Sequence, residues 1–148
     1  MCLTGTATYR SDMDFTKILM LVLLLHFIAD FNLQIGAKLH EMKQKMWWSR
    51  QYKRLKMEAN DTRQYRNDYK CALFIHALVW SLVTFAPLVY FTKNSYGYLA
   101  MIVVNTFIHA KIDDAKANEY FLNLIEDQVM HLIQIALTVV LWYRCTQC

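Results

Sequence analysis

Three pairs of histidine and aspartate, each at helical spacing, stand in a chain of 148 residues that holds only five histidines. His26 and Asp30, His109 and Asp113, and Asp127 and His131 are each four positions apart. On an α-helix that spacing stacks two side chains on one face, about one turn apart. A fourth histidine, His76, stands alone. Neutral imidazole and carboxylate are the ligand types of Zn, Mn and Fe centres, and no converging set of thiolates accompanies them. The residues therefore predict a divalent transition metal, zinc foremost with manganese or iron as alternatives. Seven candidate ligands (His26, Asp30, His76, His109, Asp113, Asp127 and His131) exceed one tetrahedral shell. Either two ions share them, or some of the acids orient imidazoles that ligate. A proton relay would use the same residue types.

These residues must be carried by long apolar segments. The chain is 56% apolar and 19% charged, with three Gly and one Pro; soluble domains average about 45–50% and about 25%. Disorder, collagen and turn-rich β folds are excluded by that composition. Four apolar stretches, about 15–35, 71–91, 96–115 and 125–143, approach the ~20 residues needed to cross a bilayer. Pro87 falls in the second, where a membrane helix tolerates it. Trp142, Tyr143 and Arg144 end the fourth in the aromatic and basic manner of an interface. The expected fold is all-α: a single domain over 1–148, a polytopic membrane four-helix bundle, with 1–14 as an N-terminal extension. A soluble bundle is the alternative, opposed by runs such as LMLVLLL that leave no polar face.

The net charge of +4 is unevenly spread. Between Gly36 and Lys70 stand ten basic residues against four acids, which makes that segment +6 and the remainder slightly acidic. By the positive-inside rule this loop faces the cytoplasm, and both termini lie on the far side. Asp12 and Asp14 before the first apolar run, with no small-residue cleavage site after it, argue against a cleavable signal peptide. The first and third spans then run inward and read His then Asp. The fourth runs outward and reads Asp then His. That reversal places the histidines in one deeper layer, with His76 at the same depth, and the carboxylates nearer the cytoplasm.

Further polar residues surround the pairs. Gln34, Asn105, Asp114 and Gln128 are placed to support the ligands. Lys116, one turn beyond Asp113, would meet an anionic group at the cytoplasmic mouth or else snorkel to the interface. His40 reads as a solvated or interfacial loop residue. In the loop, Trp47, Trp48, Lys53, Arg54 and Lys56 belong to a basic amphipathic helix suited to a membrane surface; the interleaved basic and aromatic residues make an RNA- or protein-binding arm the runner-up, with no specific nucleic acid expected. Cys145 and Cys148 form a terminal C-x-x-C without a second pair, which excludes a complete zinc knuckle.

His26-x-x-Ala29-Asp30-Phe31-x-Leu33-Gln34, the lone His76, His109-x3-Asp113-x2-Lys116 and Asp127-Gln128-x2-His131-Leu132 together resemble domain-of-unknown-function family 3307. The resemblance runs from Phe15 to about Leu141 and departs at the N-terminal extension and the long basic loop. It implies a small four-span protein of a bacterial or phage inner membrane, with these motifs as ligand positions and no assigned activity. More distantly, the layout is similar to membrane-bound metal-dependent hydrolases, an analogy of fold and motif only.

The expected function is hydrolysis of a phosphate- or acyl-containing substrate, an anionic lipid or a small metabolite, at the cytoplasmic membrane face. A metal would lower the pKa of bound water toward ~7, with Asp30 as general base and Lys116 stabilising substrate charge. No nucleophilic Ser or Cys elbow accompanies the site. Two alternatives remain open: a non-enzymatic membrane effector with a structural His/Asp centre and a partner-binding loop, and an ion or proton pathway. Association with the lipid bilayer is expected in each, and a homo-oligomer is compatible with all three.

Overall fold

The computed structural model describes residues 15–32, 39–56, 66–92 and 95–147, and among them no strand occurs. Among the described residues the four apolar stretches are helical. Helix α1 spans Phe15–Phe27 and continues as a π-helical turn, Ile28–Asn32. Two short helices follow, α2 at Leu39–Met42 and α3 at Lys45–Arg54. Helix α4 spans Asp68–Thr84 and passes into a 3-10 turn, Ala86–Phe91, at Pro87, which cannot supply the amide that the α-helix would need. Helices α5, Ser95–Ala117, and α6, Leu124–Gln147, complete the bundle. The N-terminal extension 1–14, Gln34 and Cys148 lie outside the described residues.

Helix α6 begins with a reciprocal cap. Asn123 Oδ1 accepts from the amides of Ile125 and Glu126, while Glu126 Oε2 accepts from the Asn123 amide. This capping box satisfies amides that the first turn leaves without helical partners. It also fixes where Asp127 and Gln128 enter the bundle.

Contacts between the long helices set an up-and-down arrangement. Helix α4 packs chiefly on α5, α5 on α6, and α1 on both α4 and α6. The apolar core occupies one half of the bundle, with Ile18 and Val22 of α1, Trp80 of α4, Ile102 of α5, and Ile135 and Val139 of α6 all buried. The other half gathers the end of α1, the start of α4, the end of α5 and the start of α6. There the buried polar residues include His26, Asp30, His76, His109, Asp113, Asp127 and His131, beside apolar Tyr69, Leu73 and Ile112.

The outside of the bundle is apolar. On α6, Ile125, Val129, Ile133, Leu137 and Leu141 are exposed while Asp127, His131 and Gln134 are buried. Helices α1, α4 and α5 repeat the pattern with Leu24, Leu82 and Val104 exposed. By length and composition, one helix among the described residues, Leu124–Thr146, is apolar enough to cross a membrane, and only 28% of that window is buried. The others fall short for definite reasons: α1 is α-helical for 13 residues, α4 has 17, and α5 carries Lys111, Asp113, Asp114 and Lys116 in its last turns.

Candidate metal centre

Four helices deliver one polar cluster. His76 Nε2 and His109 Nε2 face each other at 3.2 Å. Asp113 lies between them and the fourth helix: its Oδ2 is 3.2 Å from His76 Nε2 and 3.8 Å from His109 Nε2, and its Oδ1 is 3.4 Å from His131 Nε2. His131 Nε2 is also 3.4 Å from Asp127 Oδ1, yet neither of those two atoms has a hydrogen-bond partner. Asp30 approaches from the π turn, its Oδ1 3.9 Å from His76 Nε2. The imidazoles form the predicted layer: His109 stacks on His131 with ring centroids 4.2 Å apart, and His76 lies 5.2 Å from His109.

Two groups of three converge closely enough for an ion. One is Asp30, His76 and His109; the other is His109, Asp113 and His131, each with ligand atoms within 4.8 Å of one another. Zinc–nitrogen bonds of about 2.0–2.1 Å put tetrahedral neighbours about 3.3 Å apart. The His76–His109 and His76–Asp113 Oδ2 spacings of 3.2 Å and the His131–Asp113 Oδ1 spacing of 3.4 Å lie near that edge. The His109–Asp113 Oδ2 spacing of 3.8 Å is longer, and His76 and His131 belong to different groups. The cluster thus fits a metal by donor type and by spacing. His26 and Asp127 stand outside both groups.

The supporting residues divide. Gln128 does what its position suggested: its Nε2 donates to Asp30 Oδ2 at 2.7 Å and to Asp127 Oδ2 at 3.2 Å. Asn105 is held elsewhere, by Gln134 and Thr138 and the Met101 carbonyl. Asp114 accepts from Asn118 rather than from a ligand. Lys116 is engaged: its ammonium pairs with Asp127 Oδ2 at 2.5 Å, leaving 29% of the side chain exposed. Of the loop residues, Trp47 donates to Glu41 and Trp48 to the Met42 carbonyl. Helix α3, which carries Lys53 and Arg54 in its last turn, has no buried residue, and Lys56 follows it exposed.

Sequence reasoning missed three contributors. Lys43, in sequence only one of the ten basic residues between Gly36 and Lys70, is buried and donates to Asp113 Oδ2 at 2.6 Å. The segment that carries it is pinned by Asn118, which donates to the Lys43 carbonyl and accepts from the Lys45 amide. Trp80, fully buried, donates to His26 Nδ1 at 3.0 Å and stacks on His109 with centroids 4.0 Å apart. A signal for Trp80 existed, since it lies one helical turn after His76 on the same face. None existed for Lys43.

Comparison of the chain with protein-family models, with curated proteins and with solved structures gives no match in any of the three.

Proposed function

We propose that this chain is a multi-pass membrane protein whose polar half holds a divalent metal and hydrolyses a phosphate- or acyl-containing substrate at the cytoplasmic membrane face. The observation that carries the reading is the convergence of His76, His109, Asp113 and His131, with His131 Nε2 buried and without a hydrogen-bond partner. A buried polar atom left unsatisfied costs about 1–3 kcal/mol, and an ion would remove that cost. Formally, three carboxylates face two ammoniums, Lys43 and Lys116. With all imidazoles neutral one negative charge is left over, which a cation or one protonated histidine balances.

Support for the membrane comes from the inverted burial pattern. Exposed leucine, isoleucine and valine cover the outside while histidine and aspartate fill part of the inside. Soluble monomers rarely expose a contiguous apolar patch beyond a few hundred Å². The four motifs that resemble family 3307 support a bacterial or phage inner membrane, with the basic loop on the cytoplasmic side.

In this reading His76, His109, His131 and Asp113 hold one or two ions, with His109, Asp113 and His131 as one group of three and zinc the first choice. The ion supplies Lewis acidity and an acidified water. Asp30, at the edge of the cluster and oriented by Gln128, acts as general base. Lys116 keeps an open side toward the mouth and meets substrate charge. An anionic lipid or a small anionic metabolite fits that polarity.

A second reading has its own observation. Lys43 already neutralises Asp113 from within, as it would in a metal-free structural centre of an effector that acts through its basic loop. Metal analysis of the detergent-purified chain separates the two. The hydrolase reading expects about one or two zinc, manganese or iron ions per chain, lost in His109→Ala, and cleavage of p-nitrophenyl phosphate or acetate that a chelator stops. A chain that carries no transition metal and takes none up sinks it.

A further inference from the structure

The break between α2 and α3 leaves two backbone groups without helical partners. In one continuous helix the Lys45 amide would donate to the Glu41 carbonyl and the Trp47 amide to the Lys43 carbonyl. Instead the Gln44 amide takes the Glu41 carbonyl, the Trp47 amide takes that of Gln44, and Gln44 itself is extended. One side chain replaces both lost bonds. Asn118, just past the end of α5, accepts from the Lys45 amide through Oδ1 at 2.8 Å and donates to the Lys43 carbonyl through Nδ2 at 3.0 Å. A carboxamide carries a donor and an acceptor on one carbon, so it can serve both. Asp114 Oδ1 accepts from the same Nδ2 at 2.7 Å and fixes which end is which.

The residue gripped by those bonds is Lys43, whose ammonium reaches Asp113 Oδ2 at 2.6 Å. That oxygen is also 3.2 Å from His76 Nε2. The end of α5 thus holds the segment by its backbone and, five positions earlier, receives its side chain. Little else buries it. Of the described side chains from 41 to 56, Lys43 is the buried one. Trp47 and Trp48 bond within the segment, and Met46 accepts from the Tyr120 hydroxyl at an exposed position. Meanwhile Asp30, His76, His109, Asp113 and His131 are each 9% exposed or less, so an ion from solvent reaches them only when something moves aside. The long helices are tied through the core, and this segment chiefly by one ion pair and one asparagine.

We propose that the α2–α3 segment is a latch on the centre: Asn118 fastens it, Lys43 holds Asp113 in the ion's absence, and an ion that binds Asp113 displaces Lys43 and frees the segment. The proposal rests on the metal reading for what enters, and not for how the segment is held. Two cations on one buried carboxylate repel each other, whereas the released ammonium returns to water. Asn118 is then a positioning residue that acts through Lys43.

The test follows hydrogen exchange in fragments covering residues 41–54 of the full chain in detergent, with zinc as the probe. In chelator the wild-type segment is expected to be protected, and saturating zinc should speed its exchange by about tenfold or more, as local opening does. Asn118→Ala removes two hydrogen bonds and should shift the balance of closed and open forms about 5–150-fold toward open. Since the ion binds the open form, zinc affinity should rise by up to that factor. A variant that merely loosens the fold would lose affinity, so the sign of the change separates a latch from a strut. An Asn118→Ala affinity equal to or weaker than that of wild type overturns the proposal. A wild-type chain that binds no zinc ends the metal reading and the displacement together, whereas zinc binding beside a segment that stays protected ends the latch alone. If Asn118→Ala does not fold, wild-type exchange in chelator and in zinc decides.

Discussion

Removing the ammonium of Lys43 should cost the metal-free protein heavily and the metal-loaded protein much less. Lys43 Nζ lies 2.6 Å from Asp113 Oδ2, and the two side chains are 7% and 2% exposed. Taking one partner from a buried ion pair leaves the other charge uncompensated, at about 3–5 kcal/mol. For a chain of this length, about 2–4 °C per kcal/mol turns that into a fall of roughly 6–20 °C in unfolding midpoint for Lys43→Met. Metal bound by Asp113 would neutralise the stranded carboxylate. Ligand at 100 times its Kd already stabilises the native state by about 2.7 kcal/mol, and the variant should gain more than wild type. The assay is thermal unfolding in detergent, in chelator and in zinc, with Lys53→Met as the exposed control, expected within about 0.5 kcal/mol of wild type. A Lys43→Met midpoint in chelator that matches the control refutes the buried pair. Equal zinc shifts in wild type and Lys43→Met refute the idea that lysine and ion share Asp113.

Three further outcomes are expected. Leu137→Arg, on the outward face of α6 where Leu137 is 59% exposed, should reduce membrane insertion, since arginine at a span centre costs about 2.5–3.5 kcal/mol; a variant that remains folded and soluble without detergent speaks against the span. In a chain otherwise free of cysteine, Lys53→Cys should resist a membrane-impermeant maleimide in intact cells and react in inverted vesicles, and the opposite result reverses the topology. Asn123→Ala removes the cap of α6, costing about 1 kcal/mol, and should weaken zinc binding because Asp127 and His131 follow it; unchanged zinc titrations and melting would show that the cap does not hold the centre in place.

Much of this site was legible because its signals are local. Spacing by four put His109 with Asp113 and His131 with Asp127, and the reversed order in the last pair brought the histidines to one level. Hydropathy located the helices to within a few residues. What stayed hidden depends on contacts remote in sequence or on backbone irregularity. Lys43 meets Asp113 across 70 positions, and composition alone cannot tell which of ten basic residues in a loop folds inward. The π turn at Ile28–Asn32 carries Asp30 off the regular α-helical register, so the first pair diverges: His26 turns to Trp80, and Asp30 to Gln128 and His76. Such turns gather at functional sites, and nothing in IADFN announces one.

The bond between Gln128 and Asp30 joins residues 98 apart. A ribosome adding about 5–20 residues per second makes the second partner roughly 5–20 s after the first. Throughout that interval α1 exists with its histidine and its acid, while the helix that will close around them is still unwritten. The first helix must therefore be sheltered, by α4 and α5 or by cellular machinery, and the finished centre is a record that synthesis of α6 has succeeded. Loss of α6 should expose the young chain to quality control before any chemistry begins.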